Sequence, residues 1–159
     1  MLAEDADGPK CKVIYENMET DKKHIEVVAA VIVSGRKVFA TQRGYGEWKD
    51  WWEFPGGKVK VGEALSDALQ REINEELATE VNVGDELACV QYDYPRFRLT
   101  MHCFVCTFAG NSPILLEHES ACWLSADNLH DLKWLPADAA ILNKVAHLLQ
   151  QIRGIKRNV

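Results

Sequence analysis

The feature that most constrains this chain is a cluster of glutamates at helical spacing within the stretch Gly57–Thr79. Leucine and isoleucine recur there every four residues and predict a helix over residues 65–77. Its apolar stripe is formed by Leu65, Leu69, Ile73 and Leu77. Glu72, Glu75 and Glu76 then stand together beside that stripe, over the last two turns of the helix.

Carboxylates packed this closely repel one another and weaken an isolated helix, so a cation is expected at the cluster. Hard divalent cations bind carboxylate oxygens, and Mg²⁺ prefers one or two carboxylates, waters and substrate phosphates to a closed protein cage. The spacing therefore predicts a magnesium platform for a phosphorylated substrate. From the spacing alone, the alternative is a solvated acidic helix face, which is what most acidic runs form.

The wider stretch resembles the signature of the Nudix family, G-x5-E-x7-R-E-U-x-E-E-x-G-U, in which U is an aliphatic residue. The residues in register with it are Gly57, Glu63, Arg71, Glu72, Ile73, Glu75 and Glu76. The last two positions depart, because Ala78 replaces a glycine and Thr79 replaces an aliphatic residue. A glycine there would end the helix in the left-handed conformation, so the departure concerns the helix end and not the metal site.

Three further segments resemble the MutT-like branch of this family, which includes proteins like CTP pyrophosphohydrolase. They are Glu53-Phe54-Pro55-Gly56-Gly57-Lys58, Tyr92-Asp93-Tyr94-Pro95 and Leu135-Pro136-Ala137-Asp138. The resemblance implies the Nudix fold, a mixed β-sheet between helices. The hydrophobic patterns predict the element order β-β-α-β-β-β-α, which by itself indicates an α+β domain or α/β/α sandwich.

By this resemblance, oxygen atoms from several parts of the chain hold the metal. They are the Gly56 carbonyl and the carboxylates of Glu72, Glu75, Glu76 and Glu117. Glu117 is chosen because relatives carry a glutamate six residues before a strand tryptophan, here Trp123, and Glu119 is the alternative. The implied cofactor is Mg²⁺, for which Mn²⁺ can substitute.

Other residues are expected to position these glutamates or to bind substrate. Arg71, grouped with the catalytic glutamates, lies one turn before Glu75 and can hold that carboxylate by a charge-assisted hydrogen bond. Gly57 would support the loop and helix geometry, and Glu63 would support either that geometry or a second metal through water. The residues assigned to substrate are Arg43, Phe54, Lys58 and Asp138, with Lys58 directed to phosphate. For Arg43 and Lys58 the alternative is an ordinary exposed cation.

The resemblance implies a pyrophosphohydrolase of nucleoside or deoxynucleoside triphosphates, including modified ones such as 8-oxo-dGTP, CTP or 5-methyl-dCTP. Attack of water at the β-phosphorus would give a nucleoside monophosphate and pyrophosphate, with Glu72 or Glu75 accepting the proton. One alternative is another nucleoside diphosphate derivative, such as ADP-ribose, a dinucleotide or capped RNA. Another is a non-catalytic nucleotide sensor, although such domains typically lose glutamates that this chain retains.

Asp138 is expected to contact the base. It follows Pro136 at the start of a predicted final helix over residues 137–152, so an ordinary acid at a helix N-terminus is the alternative. An ionised aspartate only accepts hydrogen bonds, which suits the N–H groups of guanine and cytosine but not the carbonyl oxygens of uracil or thymine. Guanine-type or cytosine-type triphosphates are therefore expected to be the better substrates.

Composition limits the remaining possibilities. The net charge of −6 leaves no basic footprint for a nucleic-acid polymer, so a small nucleotide is the expected partner. No apolar run reaches the roughly 18 residues of a membrane span, and the N-terminus lacks a signal-peptide pattern. The five cysteines, an odd number, predict reduced thiols in a cytoplasmic protein. Cys103 and Cys106 form a C-x-x-C pair, but their segment is a predicted strand, so buried thiols are expected.

The 159-residue chain is predicted to form one domain over residues 24–153. A charged, flexible extension is expected over residues 1–23 and a basic tail over residues 154–159. A turn is expected at Gly84-Asp85 between two apolar segments. The predicted strands are Ile25–Val33, Val38–Gln42, Cys89–Tyr94, Arg98–Phe108 and Cys122–Leu124.

Overall fold

The computed structural model describes residues 22–152, and the structural statements below concern that part of the chain. The predicted tail and nearly all of the predicted extension lie outside it, so the domain boundaries stay predictions. The strands are β1 (Lys23–Ser34), β2 (Lys37–Arg43), β3 (Trp52–Glu53), β4 (Gly56–Lys58), β5 (Val81–Asp93), β6 (Phe97–Phe108) and β7 (His118–Leu124). The helices are α1 (Leu65–Leu77), α2 (Pro136–Ala139) and α3 (Leu142–Gln151), with a 3-10 turn at Leu129–Asp131.

Strand β1 lies at the centre of a mixed sheet. It pairs in parallel with β6, and antiparallel with β2 and β4. Strand β5 extends the sheet beyond β6, while β3 and β7 both pair with β2. The β-branched and apolar composition of β1 suits this central position, because both of its faces are buried.

Helices cover both faces of the sheet. Alternate residues of β1 face opposite sides, so Ala29 and Val31 belong to one core while Val28 and Ile32 belong to the other. Helix α1 packs on the second core through Leu69, Ile73 and Leu77. Helix α3 packs on the first core through Leu142, Val145 and Leu149. The predicted α+β sandwich with a mixed sheet between helices is confirmed.

Helix α1 begins and ends at the predicted residues, Leu65 and Leu77. The residue after it, Ala78, has φ 53° and ψ 39°, and its N–H donates to the Asn74 carbonyl. The helix therefore ends in the left-handed conformation that a glycine would adopt with less strain. An alanine in this conformation costs roughly 1 kcal/mol relative to glycine.

Two predicted features of the fold are wrong. The glycine at position 84 does not make a turn, because β5 runs through it with register shifts on both sides of Glu86. A Cβ atom at Gly84 would lie 2.8 Å from the Val105 carbonyl oxygen, so glycine is needed there for close approach to β6. The predicted final helix is two helices, because the Ile141 N–H bonds to the Asp138 carbonyl in a tightened last turn. The Ile141 side chain is buried, and the second helix, α3, begins at the next residue, Leu142.

The thiols follow the prediction in part. Cys103 and Cys106 are buried and Cys122 is half-buried, and all three are free. Burial raises the pKa of Cys106 to about 12, which keeps that thiol protonated. Cys89 is disulfide-bonded, so the expectation of reduced thiols is wrong at this position. None of the helices in residues 22–152 has the length and hydrophobicity of a membrane span.

Substitutions at Gly56 and Gly57 can test how closely strand β4 packs against its neighbours. A Cβ atom at Gly56 would overlap the Val28 carbonyl oxygen and lie 2.8 Å from Ala29 Cα, which are main-chain atoms of the central strand. At Gly57 the overlap is with the carboxylate of Glu72, the end of a flexible side chain. We expect Gly56→Ala to lower the unfolding free energy by about 2–4 kcal/mol, as other backbone clashes do. Gly57→Ala should retain most of the stability, because the flexible Glu72 side chain can move aside.

Chemical denaturation of the two variants beside the wild type would measure this difference. A Gly56→Ala protein as stable as the wild type would contradict the close approach of β4 to β1.

Candidate active site

Arg71 holds the acidic cluster together from within α1. Its Nε and Nη2 atoms donate to the two oxygens of Glu63, each at 2.8 Å, and Nη1 donates to Glu72 at 2.8 Å. Nη2 also donates to the Lys58 carbonyl at 3.0 Å. Glu75, the partner expected from the sequence, is more distant at 3.5 Å. The two-pronged contact with Arg71 lowers the pKa of Glu63 to about 2, so Glu63 is fixed in its charged form.

Because Gly57 has no side chain, it leaves room for Glu72 beneath the loop that precedes α1. The Glu72 carboxylate occupies the space that a side chain at position 57 would fill. Its side chain is 15% exposed, and burial raises its pKa although the hydrogen bond from Arg71 acts in the opposite direction. The glycine was expected to support the loop geometry, and this contact is the means by which it could do so.

Glu76 is the most buried of the three glutamates on α1. Burial, followed by the charges of Glu53, Glu72 and Glu117, raises its pKa to about 9. The Gly56 N–H donates to this carboxylate, but Oε1 has no hydrogen-bond partner among the described residues. A buried oxygen without a partner, surrounded by other carboxylates, fits a cation, which would replace the missing hydrogen bonds and cancel the repulsion.

Glu117, and not Glu119, adds its negative charge to the surroundings of Glu72 and Glu76. The carboxylate of Glu117 lines a small polar cavity together with Glu76, and its charge raises the pKa of both Glu72 and Glu76. Glu119 instead accepts from Lys49 Nζ at 3.3 Å. The geometry therefore favours Glu117 of the two candidates.

Glu75 has a half-exposed side chain, at 52%, and lines neither this small polar cavity nor the larger one beside it.

Sequence reasoning assigned Arg43 to substrate but missed the partly buried group that Arg43 forms with Glu53 and His118. Glu53 accepts from Arg43 Nη1 at 3.1 Å through one oxygen and lies 3.1 Å from His118 Nε2 through the other. The side chain of His118 is 4% exposed. Among the described residues, His118 Nδ1 and Arg43 Nε have no hydrogen-bond partner, and both residues line the same polar cavity as Glu76. Arg43 is therefore held in place and is not an ordinary exposed cation.

The larger cavity joins this acidic region to an aromatic one. Its volume is about 450 Å³, within the range of small-molecule sites. Glu72, Glu76, Arg43 and Lys58 are among the residues that line its polar part. The residues of its apolar part include Trp48, Phe54, Tyr94, Phe97, Leu99 and Leu135. A ligand with a charged end and a flat apolar end would match this division.

Asp138 also lines the cavity and is 5% exposed. Its Oδ2 accepts from the Phe54 N–H at 2.9 Å. Burial, followed by the charge of Glu53, raises the pKa of Asp138 well above its usual range. A raised pKa makes the carboxyl release its proton less readily, and in its neutral form it can donate one hydrogen bond as well as accept.

Phe54 and Lys58 contribute to the cavity in different ways. The ring of Phe54 is 3% exposed and stacks on Trp134, with centroids 4.6 Å apart, so it forms a fixed part of the wall. Lys58 is exposed, its carbonyl is held by Arg71, and it is also among the residues that line the cavity. Its role toward phosphate stays a prediction.

A second group of possible metal ligands lies on β5 and β6. Glu86, Cys89 and His102 bring one ligand atom each within 4.8 Å of one another. The disulfide at Cys89 removes its thiolate as a ligand, and His102 is already flanked by Glu26 at 2.7 Å and Glu86 at 3.3 Å. The donor set at Glu76 therefore fits Mg²⁺ better, since it consists of oxygen atoms.

The burial of Glu76 predicts how the stability of the metal-free protein depends on pH. Between the usual carboxyl pKa of 4.5 and about 9, the folded state retains a proton that the unfolded state releases. The unfolding free energy should therefore fall as the pH rises through this window, by up to about 1.4 kcal/mol per pH unit for one such group. Asp138 acts in the same direction, so Glu76→Gln should remove part of the slope.

Thermal unfolding in a chelator across this pH range, for the wild type and Glu76→Gln, would measure this dependence. Added Mg²⁺ should stabilise the wild type more at high pH, because the metal requires the carboxylate form. A wild-type profile that rises or stays flat would contradict the buried position of Glu76.

Comparison with known proteins agrees with the fold. A family model described as NUDIX domain matches residues 22–146. The chain is 35% identical over 122 residues to the CTP pyrophosphohydrolase of Escherichia coli strain K12, covering 76% of this chain and 90% of that protein. It is 35% identical over 104 residues to the 8-oxo-dGTP diphosphatase of Proteus vulgaris, covering 64% of this chain and 91% of that protein.

A solved structure gives the same result at the level of the backbone. The solution structure of the E. coli ORF135 protein superposes with a TM-score of 0.72 at 30% sequence identity, covering 88% of this chain and 100% of that one. The family model covers most of the chain, and two of the signature glutamates, Glu72 and Glu76, line one cavity. The chain therefore belongs to the Nudix family.

Proposed function

We propose that this protein is a Mg²⁺-dependent pyrophosphohydrolase that converts nucleoside triphosphates to nucleoside monophosphate and pyrophosphate. The observation that carries the proposal is the buried, unpartnered oxygen of Glu76 at the acidic part of a cavity whose other part is aromatic. The unpartnered Glu76 oxygen suits a cation bound together with the phosphates of a nucleotide, and the aromatic part suits a nucleobase. The names of the relatives from E. coli and Proteus vulgaris support the same class of substrate.

The residues proposed to hold Mg²⁺ are the Gly56 carbonyl and the carboxylates of Glu72, Glu75, Glu76 and Glu117. When bound, the metal would neutralise charge on the phosphates and lower the pKa of the attacking water, and Mn²⁺ is expected to substitute for it. Arg71 keeps Glu63 and Glu72 in place by its hydrogen bonds, which pre-organises the cluster for the metal. Glu75 needs a side-chain rotation to join the site, since it is half exposed.

The cations of the cavity are proposed to bind the phosphates. Arg43 is fixed by Glu53, and its Nε donor is left without a partner among the described residues. Lys58, which directly follows Gly57 in the chain, is exposed and lines the same cavity. Such local countercharge is needed in a protein whose net charge is −6, because long-range attraction for a triphosphate is absent.

Glu72 is the better supported of the two candidates for the proton acceptor. It lines the cavity, and burial raises its pKa, which makes it a stronger base than an ordinary carboxylate. Glu75 does not line the cavity. We therefore assign the proton to Glu72, with Arg71 orienting that carboxylate.

The base is proposed to lie in the aromatic part of the cavity, with Asp138 contacting its edge. An ionised Asp138 would favour guanine and cytosine, which present N–H donors, over uracil and thymine. Its raised pKa makes this preference depend on pH, because the neutral carboxyl also donates to base carbonyls. The substrates covered by this proposal are free nucleotides, including oxidised or methylated ones. The cytoplasmic location expected from the sequence stays a prediction.

The bond that is broken provides the direct test of this function. Hydrolysis of a triphosphate in ¹⁸O-labelled water should be Mg²⁺-dependent and should place the label in pyrophosphate, because attack is expected at the β-phosphorus. Mass spectrometry of both products would locate the label. Glu76→Gln should abolish turnover while leaving a folded protein.

Label in the monophosphate would place attack at the α-phosphorus instead. Orthophosphate as the first product would reject a pyrophosphohydrolase altogether, and turnover of ADP-ribose but of no triphosphate would support the alternative substrate class.

A further inference from the structure

We propose that Tyr94 sets the base selectivity of this site by capping helix α2 from a distant strand and so fixing Asp138 at the cavity wall. The inference rests on the proposed function to the extent that the ligand is a nucleotide. Tyr94 acts through Asp138, so its role is that of a positioning residue.

Helix α2 cannot fix its own orientation. It contains four residues, begins with Pro136, and the residue before it, Leu135, makes no side-chain capping hydrogen bond. So short a helix gains little stability from internal hydrogen bonds, and its first N–H groups have no partner within the helix. Since proline has no N–H, the first helical donor that needs an acceptor is the N–H of Ala137.

Tyr94 supplies that acceptor from the end of β5. Its hydroxyl oxygen accepts from the Ala137 N–H at 3.1 Å, in buried surroundings. The ring stacks on Phe97, with centroids 4.9 Å apart and planes 23° apart, and packs edge-on against Trp48. The Tyr94 N–H also donates to the Phe97 carbonyl at 2.8 Å, so both the main chain and the ring are fixed. Tyr94 therefore takes the part that a serine or aspartate cap normally plays.

Because Tyr94 caps the Ala137 N–H, Asp138 can also make a contact outside helix α2. A carboxylate at the third helical position commonly reaches back to the N–H that precedes the helix. Here the Leu135 N–H donates instead to the Trp52 carbonyl at 2.9 Å. Asp138 accepts from the Phe54 N–H and faces the cavity. Asp138 also accepts from its own N–H, as an acid in a first helical turn can, but its contact with Phe54 and its place in the cavity wall are not part of that ordinary role.

Loss of the Tyr94 hydroxyl should disturb selectivity more than folding. The Ala137 N–H would be left buried without an acceptor, and a small rotation of α2 would relieve this. Such a rotation moves Asp138, the next residue, but not the residues proposed to bind phosphate on β2 and β4 or the glutamates on α1, which belong to other elements. Hydrogen bonds weaken steeply with distance and angle, so a small shift of Asp138 is enough to reduce discrimination between bases.

The experiment compares the binding of dGMP, dCMP and dTMP by calorimetry in the wild type and in Tyr94→Phe, which retains the ring. The ratio between the tightest and the weakest of the three dissociation constants should fall by roughly 3- to 10-fold, the usual worth of one hydrogen bond. Hydrogen exchange of the Ala137 amide should become faster in Tyr94→Phe, because its acceptor is gone.

Tyr92→Phe is the matched control. Tyr92 lies on β5, two residues before Tyr94, and the centroids of the two rings are 4.6 Å apart, but within residues 22–152 the Tyr92 hydroxyl makes no hydrogen bond. This variant should leave the ratio unchanged. When Tyr94→Phe is added to Asp138→Ala, the ratio of dissociation constants should fall by less than about 2-fold further. The reason is that the effects of two residues that act as one unit are not additive.

An unchanged ratio in Tyr94→Phe would overturn the inference, as would equal narrowing in Tyr92→Phe or additive narrowing in the double variant. Equal binding of all three monophosphates by the wild type would overturn it too. Monophosphate binding does not depend on turnover. A wild type that binds selectively through Tyr94 but releases no pyrophosphate from triphosphates would reject the proposed function alone.

Discussion

The site depends on holding several carboxylates closer together than their charges favour. Glu72, Glu76 and Asp138 are largely buried, and burial raises the pKa of each. Arg71 offsets the charge on one side through Glu63 and Glu72, and Arg43 does so on the other side through Glu53. Glu76 lies between these pairs without a cation of its own among the described residues. An acidic centre arranged in this way is stable only if it is protonated or binds a metal, which links the fold directly to the proposed chemistry.

The central strand gives this arrangement its rigidity. Gly56 allows β4 to approach the main chain of β1 closely, and Gly57 leaves room for Glu72 below it. Helix α1 is fixed on the same strand by buried leucine and isoleucine side chains. The carboxylates of α1 and the main chain of β4 therefore belong to one packed unit. The aromatic side chains of the cavity come from other parts of the chain, namely Trp48 in the loop before β3, Phe54 just after β3, and Tyr94 and Phe97 where β5 connects to β6.

The sequence predicted what is local and missed what is distant. The period of Leu65, Leu69, Ile73 and Leu77 predicted both ends of α1. Of the acids in the signature, Glu72 and Glu76 line the larger cavity and Glu75 does not. The contacts of Glu53 with His118 and of Tyr94 with Ala137 join residues 65 and 43 positions apart, and no spacing rule reports them. Gly84 was misassigned because turns and bulges both select glycine. The final helix was predicted as one because its apolar period continues across the break at residues 140–141.

The most direct test of the account is the location of a bound metal. In a crystal soaked with Mn²⁺, anomalous scattering should give a peak next to Glu76 Oε1, at about 2.1 Å as expected for a small hard cation, with Glu72 and Glu117 nearby. That position would show that the unpartnered oxygen of Glu76 is a metal ligand. A peak confined to Glu86 and His102, or none near Glu76 in crystals that hold Mn²⁺ elsewhere, would contradict the central claim.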